Sequence, residues 1–429
     1  MKKLIKLFNS LLLVSCFILG CSSSMDIATK TAQANFTKEV DSEPTETIQS
    51  PTASKVDIRF ECPEVKTDLS ILKAKGLLIL DARETYQTFL MDMDLQSITQ
   101  INKPEENFEF FEVSPGRKWM DYNATILDEN LNYLLDDIVI AGLGNQIIET
   151  LPSEDDWGPV NWLDDERLII NLIQTGESAS LNFLILNPFT NEQHNLKADY
   201  PDIYDQYPLP NWDGWGITVY SPNIDHVVYL QGGVSGPYYY TLWDIQNQEV
   251  ITQIQAAGDI SAIPRWSADG EKFAIAPSLF SKMGDYPSYD LFSVSQDGII
   301  TQLTHLSGYY PWVYIADLSW SPDSRSIAFW YSYWTDMPSS DTRGDYSLGV
   351  LDVQTGLTTS YCIHGELDAE IGSRKYQPPL WSPDSRQVIV QSQVGEDFLN
   401  FQTILVDVQE NRAYHIADNL EPVGWLTSP

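Results

Sequence analysis

The stretch Leu318-Ser-Trp320-Ser-Pro-Asp323-Ser-Arg-Ser-Ile-Ala-Phe329 decides the fold of this chain, because it recurs. A near copy is Leu380-Trp381-Ser-Pro-Asp384-Ser-Arg-Gln-Val-Ile-Val390, and another is Pro264-Arg-Trp266-Ser-Ala-Asp269-Gly-Glu-Lys-Phe-Ala-Ile275. Looser copies begin at Val219-Tyr220-Ser-Pro222, at Trp162-Leu-Asp-Asp165 and, most faintly, at Val113-Ser-Pro-Gly116. The last residues, Gly424-Trp425-Leu-Thr-Ser-Pro429, open one more copy. Successive copies start roughly 45–60 residues apart, which suits a repeating unit of four strands.

Each copy has one physical reading. The apolar residue and Trp end an inner strand. Ser-Pro-Asp-Gly/Ser is a tight turn: Pro presets φ, Asp accepts from nearby backbone N–H groups, and Gly or Ser tolerates the exit. The run that follows, such as Ser326–Phe329, is a strand buried on both faces. An alternating strand closed by a polar turn comes later in each unit, as in Leu348–Gly356, Ile404–Val408 and Thr241–Ile245. Long stretches of helical periodicity are absent from the sequence.

The pattern resembles the WD-like repeat of TolB-type β-propellers and covers about residues 70–429. The resemblance implies an all-β propeller of four-stranded blades, and it is nearly silent on function, since one fold hosts many roles. The segment Gly76–Ile101 supplies later strands (Leu77–Asp81, Thr88–Asp94, Ser97–Ile101) with no turn motif before them. Trp425 begins an inner strand with no partners after it. Joined, the two make one blade that closes the ring with the C-terminal strand. Six internal units bring the expected total to seven blades; the alternative is six, if residues 70–150 form a single irregular blade.

The N-terminus carries different information. Lys2, Lys3 and Lys6 precede an apolar run from Leu7 to Leu19, too short to span a bilayer. This is the form of an export signal. Ile18-Leu19-Gly20-Cys21 resembles the bacterial lipobox, which implies removal of residues 1–20 and lipidation of Cys21; the alternative is plain secretion. Residues 21–56 are rich in Ser, Thr, Ala and Glu and read as a flexible tether, with a coil span of roughly 30–35 Å. Residues 57–429 are the propeller. The expected location is extracytoplasmic, on a bacterial cell envelope, with the N-terminal lipid as the only membrane contact.

The formal charge is −35, and loss of the three signal lysines takes it to −38. Such a body is repelled by nucleic-acid phosphates and anionic lipid surfaces. It serves as a solubility surface or as a field that attracts cations and basic partners. Of four cysteines, Cys16 and Cys21 belong to the signal and the lipid site, leaving Cys62 and Cys362. In an exported protein these form a disulfide, stapling the N-terminal strand to a late blade, or stay as two buried thiols.

No catalytic constellation is visible. Gly-x-Ser-x-Gly, the nucleophile elbow of peptidases with this kind of propeller, is absent; Gly233-Val-Ser235-Gly236-Pro237 fails at its last position. His194, His226, His305, His364 and His415 are scattered, and neither His-x-x-x-His nor Cys-x-x-Cys occurs. No metal or other cofactor is expected. Asp336, Asp341 and Asp345 share one loop and read as a Ca²⁺ site or a solvated acidic loop. The informative residues are aromatic: Tyr204, Tyr207, Trp212 and Trp215 in one between-blade loop, Tyr309, Tyr310 and Trp312 in another, and Tyr239, Tyr333 and Trp334 beside loops joining second to third strands. Propeller topology puts all of these on the face opposite the Ser-Pro-Asp turns. They form a site that stacks on sugar rings or anchors a peptide, or they pack between blades. The expected role is a monomeric binding or scaffold module for a protein or envelope glycan. The alternatives are a polysaccharide-active surface enzyme with unassigned carboxylates and a purely structural envelope component.

Overall fold

Seven four-stranded antiparallel sheets follow one another along the chain, and the first is completed by the last strand. We describe them from a computed structural model covering residues 58–427 except 83–84, 86, 103–105, 128–132, 143–146, 153–156, 174–180, 196–217, 232–237, 248, 257–261, 281–286, 335–345, 366–377 and 395–399. Cys21, the tether, the acidic loop and the aromatic loop of Tyr204–Trp215 lie outside these residues. The described residues all belong to one compact unit, Thr45–Pro429.

Blade 1 combines Glu421–Leu426 with Leu77–Ala82, Gln87–Asp92 and Ser97–Gln100. Leu78 pairs with Trp425 across this junction, so the ring is closed by the C-terminal strand and has seven blades rather than six. Blade 2 is Glu106–Val113, Met120–Leu127, Tyr133–Ala141 and Ile147–Pro152; blade 3 is Trp157–Trp162, Leu168–Ile173, Leu181–Asn187 and Glu192–Asn195. Blade 4 is Thr218–Tyr220, His226–Gln231, Tyr238–Asp244 and Glu249–Ala256. Blade 5 is Arg265–Trp266, Lys272–Ile275, Phe292–Ser295 and Ile300–Gln302, with a hairpin, Ser278–Phe280 and Pro287–Tyr289, between its second and third strands. Blade 6 is Trp312–Trp320, Ser326–Trp334, Tyr346–Asp352 and Thr358–Gly365; blade 7 is Leu380–Trp381, Gln387–Gln393, Phe401–Asp407 and Arg412–Asp418. Among the described residues the only helix is a 3₁₀ turn, Leu306–Gly308.

The continuous apolar runs in the sequence are explained by burial on both faces of a blade. Successive side chains of a strand point to opposite faces. In blade 6, Ile327, Phe329 and Tyr331 pack with Leu291 and Leu306 of blade 5 and the loop after it. Ala328 and Trp330, one residue out of step, pack with Val388 and Val390 of blade 7. Neither face is left for water, so polar alternation is absent from these strands.

The repeated turn works through its serine more than its aspartate. Ser321 Oγ accepts the Ser326 N–H at 2.9 Å and donates to Asp323 at 2.6 Å. Ser324 N–H donates to the Ser321 carbonyl at 2.9 Å, which puts Ser324 at φ 58°. Ser382 with Asp384 and Ser267 with Asp269 repeat this geometry. The left-handed position is held by Ser385 and Gly270 in those copies, and by Ile224 in blade 4. A β-branched residue there carries a conformational cost of about 1–2 kcal/mol. In the looser Trp162 copy, Asp164 takes the serine's place and accepts the N–H groups of Glu166 and Arg167.

The tryptophans of the motif lock neighbouring segments together. The indole N–H of Trp266 donates to the Val219 carbonyl at 3.2 Å, that of Trp320 to Arg265 at 2.9 Å, and that of Trp381 to Ser319 at 3.2 Å. Each bond joins one inner strand to the preceding blade. Trp425 departs from the series and donates to the Lys75 carbonyl at 2.9 Å. The turns also touch in succession: Thr427 donates to Arg117, Ser114 and Gly116 to Asp165, Arg167 to Pro222, Asp269 N–H to Ser324, and Asp323 N–H to Ser385. The turns between third and fourth strands share this face, since the N–H groups of Val353 and Val408 donate to the carbonyls of Arg325 and Arg386.

An addition to the ring precedes blade 1. Ile58–Glu61 lies parallel to Thr358–Tyr361 on the outer edge of blade 6, and Val65–Lys66 parallel to Ala413–Tyr414 on that of blade 7. Between these two segments Cys62 forms a disulfide with Cys362, the Cα atoms 4.8 Å apart.

Candidate functional site

On the face opposite the turns, the best-defined feature is the rim of blade 6. Trp312 opens the inner strand and stands directly across from Trp334, the last residue of the second strand; Val313 stands across from Tyr333. Trp312 therefore lies in a strand, where the sequence suggested a loop, and Tyr333 and Trp334 end the second strand beside the loop that follows. The loop before Trp312 is compact: the N–H groups of Tyr309 and Tyr310 both donate to the Leu306 carbonyl at 2.9 Å. This turn delivers Tyr310 onto Tyr333, with ring centroids 4.0 Å apart and planes at 24°. Tyr309 stands edge-on to Tyr310 at 5.4 Å. Beneath, Tyr331 lies parallel to Tyr333 at 6.1 Å, buried, and its hydroxyl donates to Ser360 at 2.6 Å.

The stack thus runs from core to water. Tyr331 is fully buried, whereas Tyr333 is 39% and Tyr309 61% exposed. Burial, reinforced by the neighbouring Tyr333, Tyr331 and Tyr309, holds the Tyr310 phenol far above its ordinary range. It stays a neutral hydroxyl at any working pH. Other aromatic contacts of blade 6 belong to the core: Tyr289, at the end of the blade 5 hairpin, meets Tyr314 edge-on at 5.2 Å, and Tyr314 meets Tyr346 at 6.2 Å.

Of the aromatic residues singled out in the sequence, Tyr309, Tyr310 and Tyr333 join in this stack, while Trp312 and Trp334, paired at the same end of blade 6, stand on its other face. Tyr239 belongs to blade 4, half-buried in the third strand opposite Gln231 and Gln255. Tyr204, Tyr207, Trp212 and Trp215 lie outside the described residues, as do Asp336, Asp341 and Asp345. Among the described residues no group of three or more His, Cys, Asp or Glu is placed to hold a metal ion.

The rim rests on a buried acid that the sequence did not single out. Asp290 follows the hairpin and accepts the Leu306 N–H at 2.6 Å, the Thr304 hydroxyl at 2.8 Å, the Gln302 side-chain N–H at 3.3 Å and the Ser307 hydroxyl. It therefore clasps the loop that carries Tyr309 and Tyr310. Next to it, Ser288 Oγ accepts the Val313 N–H at 3.0 Å and so fixes the start of the inner strand. Burial pushes the Asp290 carboxyl up to about 7 against the opposing pull of these hydrogen bonds. No local signal marks Asp290, because its partners sit 12–17 residues further on.

Two other acids whose carboxyls desolvation raises lie away from the rim. Asp317 sits at an irregularity of the inner strand of blade 6, 3.8 Å from Arg265, and burial raises it despite that cation. Asp121 stands opposite Glu112 in blade 2 and is raised well above the usual range by burial and by that neighbour. Near Glu112, desolvation pulls the Arg117 guanidinium down to about 10.

No protein-family model matches this sequence, and no curated protein matches it. Among solved structures the chain is similar to TolB from Acinetobacter baumannii, at 14% identity and a TM-score of 0.40, over 79% of this chain and 77% of that one. It is similar to an oligogalacturonate lyase from Vibrio parahaemolyticus, at 12% identity and a TM-score of 0.46, over 80% and 86%. A third similar structure is the β-propeller domain of the Trilobed protease from Pyrococcus furiosus, at 10% identity and a TM-score of 0.42, over 74% and 85%. At these identities and TM-scores the likeness says nothing about ligand or activity.

Proposed function

We propose that this chain is a binding module of a bacterial cell envelope, lipid-anchored through Cys21, which engages a protein or glycan at the aromatic rim of blade 6. The observation that carries this reading is the exposure of Tyr309 and Tyr333 above a stack fixed by the buried Tyr331–Ser360 hydrogen bond. Rigid, neutral aromatic faces with hydroxyls at their edges bind sugar rings and peptide side chains at little cost in side-chain entropy. A packing role alone does not account for a ring that is 61% exposed. Binding, rather than turnover, is favoured because the rim presents phenols and indoles, and because the buried acid beneath it spends its hydrogen bonds on the loop.

The test is a glycan array and an envelope pull-down with wild type and with Tyr309→Ala/Tyr333→Ala. Loss of a captured ligand with an unchanged melting temperature is expected. A ligand retained by the double variant would remove the rim from the site. Failure of radiolabelled palmitate to enter the wild type, or its continued entry into Cys21→Ser, would remove the anchor.

A further inference from the structure

The two segments that precede blade 1 are held in an unusual way. Ile58–Glu61 and Val65–Lys66 extend four-stranded blades by a fifth, parallel strand. Blades 1 to 5 have no such addition among the described residues. The segments bury little: Phe60 is 53% and Val65 41% exposed, and Ile58 is half-buried against the core between blades 5 and 6. Side-chain hydrogen bonds from these segments to the ring include Arg59 to Thr359 at 3.4 Å and Asn411 to Glu61 at 2.6 Å. Short ladders of this kind with little apolar burial open easily on their own.

The Cys62–Cys362 disulfide lies between the two ladders, and both cysteines are exposed. Strand alternation explains the second: Tyr361 and Ile363 face the core, so Cys362 between them faces outward. Ring closure lies elsewhere. It is made by Leu77–Asp81 on Glu421–Leu426, where Leu78, Ile79, Leu80 and Trp425 are wholly buried. The bond that holds the added segments is thus open to solvent, while the junction that closes the ring is not.

We infer that residues 58–66 form a redox-releasable strap. A dithiol, small or protein-borne, attacks one sulfur of the Cys62–Cys362 bond, and its first thiolate forms a mixed disulfide as the other cysteine leaves as a thiol. Its second thiol then displaces the remaining cysteine. The dithiol ends as a disulfide, both cysteines as thiols, and two electrons and two protons have passed to the protein. With the cross-link gone the strap leaves blades 6 and 7, and the ring stays shut at blade 1. Release uncovers the outer edges of Thr358–Gly365 and Arg412–Asp418, leaving backbone groups that the strap had paired. It also frees the chain from Ile58 to Lys66, while Leu69, Leu72 and Ala74 stay packed on the core and Lys75 stays bonded to Trp425.

The experiment uses the full chain in native buffer with and without millimolar dithiothreitol. Iodoacetamide labelling is read peptide by peptide at Cys62 and Cys362, alongside hydrogen exchange. Both cysteines are expected to label after reduction without denaturant. Amides of 58–61 and 65–66 then exchange like unprotected ones, amides of 77–82 and 421–426 keep their protection, and reoxidation restores the strap. Labelling that needs denaturant, a strap still protected after reduction, or simultaneous loss of protection in 421–426 would each overturn the inference. The Cys62→Ser/Cys362→Ser variant gives an independent reading: its strap must exchange freely without any reductant, and a protected strap in that folded variant also overturns it.

Discussion

Replacing Asp290 by Asn should leave stability unchanged in acid and raise it in mild alkali, although four hydrogen bonds converge on the wild-type side chain. The argument is one of competing terms. Donors from Ser307, Thr304 and Leu306 favour the charged carboxylate, but its burial costs more, and the folded pKa is pushed from 3.8 up to about 7. Below the unfolded value the acid is protonated in both states and its contribution is fully present. As pH rises through about 7 the folded protein must ionise a buried group, and that contribution is lost. A shift of this size is worth roughly 4 kcal/mol between pH 4 and pH 8. Asn has the shape of the protonated acid and never ionises. Its oxygen replaces the one that takes Thr304 and Leu306, its amide donates to the Ser307 hydroxyl, which can turn to accept, and only the long bond from Gln302 is lost. The assay is denaturant unfolding of wild type and Asp290→Asn at matched pH, read as the difference, so that the other carboxylates cancel. The variant should be level at pH 4 and ahead by roughly 2–4 kcal/mol at pH 8, about 2–5 °C in melting temperature for a domain of this size. A difference independent of pH, or a wild type that gains on the variant as pH rises, would refute the reasoning. It would mean that the hydrogen bonds to the loop, and not burial, set the state of Asp290.

Four further outcomes follow from the geometry. Tyr309→Ala should shift the melting temperature by less than about 1 °C, whereas Tyr331→Ala, which empties a core site and strands Ser360, should cost about 3–5 kcal/mol in denaturant unfolding. Ser382→Ala removes the acceptor of the Gln387 N–H and the donor to Asp384, and should cost about 1–3 kcal/mol by the same measurement. Gly424→Ala places a methyl group 2.6 Å from Val113 Cγ2 on the closing strand, and about 1–3 kcal/mol of overpacking should appear as faster unfolding in stopped-flow. The Cys62→Ser/Cys362→Ser protein, which loses a cross-link spanning 300 residues, should unfold about 2–5 kcal/mol more easily than the oxidised wild type.

The amino-acid sequence by itself determined the architecture, because the features that define a blade are local. Ser321, Asp323 and Ser324 make their turn within five residues, and Trp320 marks the strand before it wherever the motif stands. The unpartnered start at Trp425 and the strands after Gly76 were enough to infer a ring closed between its two ends, and the pairing of Leu78 with Trp425 is that junction. Serine's part as the hub of the turn was not legible, since its role depends on the direction of one hydroxyl. Only the tertiary structure decided which aromatics belong to a surface. Tyr331 and Tyr333 are two residues apart in one strand and point to the same face, yet one is core and the other reaches water. Their fates differ by depth along the strand, and depth is set by where blade 5 and the loop before Trp312 stop covering blade 6. Asp290 shows the same limit from the other side. Nothing beside it in the chain distinguishes it, and its meaning comes from a loop that a neighbouring blade folds back over it. Repeats are written in contacts between near neighbours, whereas a site is written in contacts between blades.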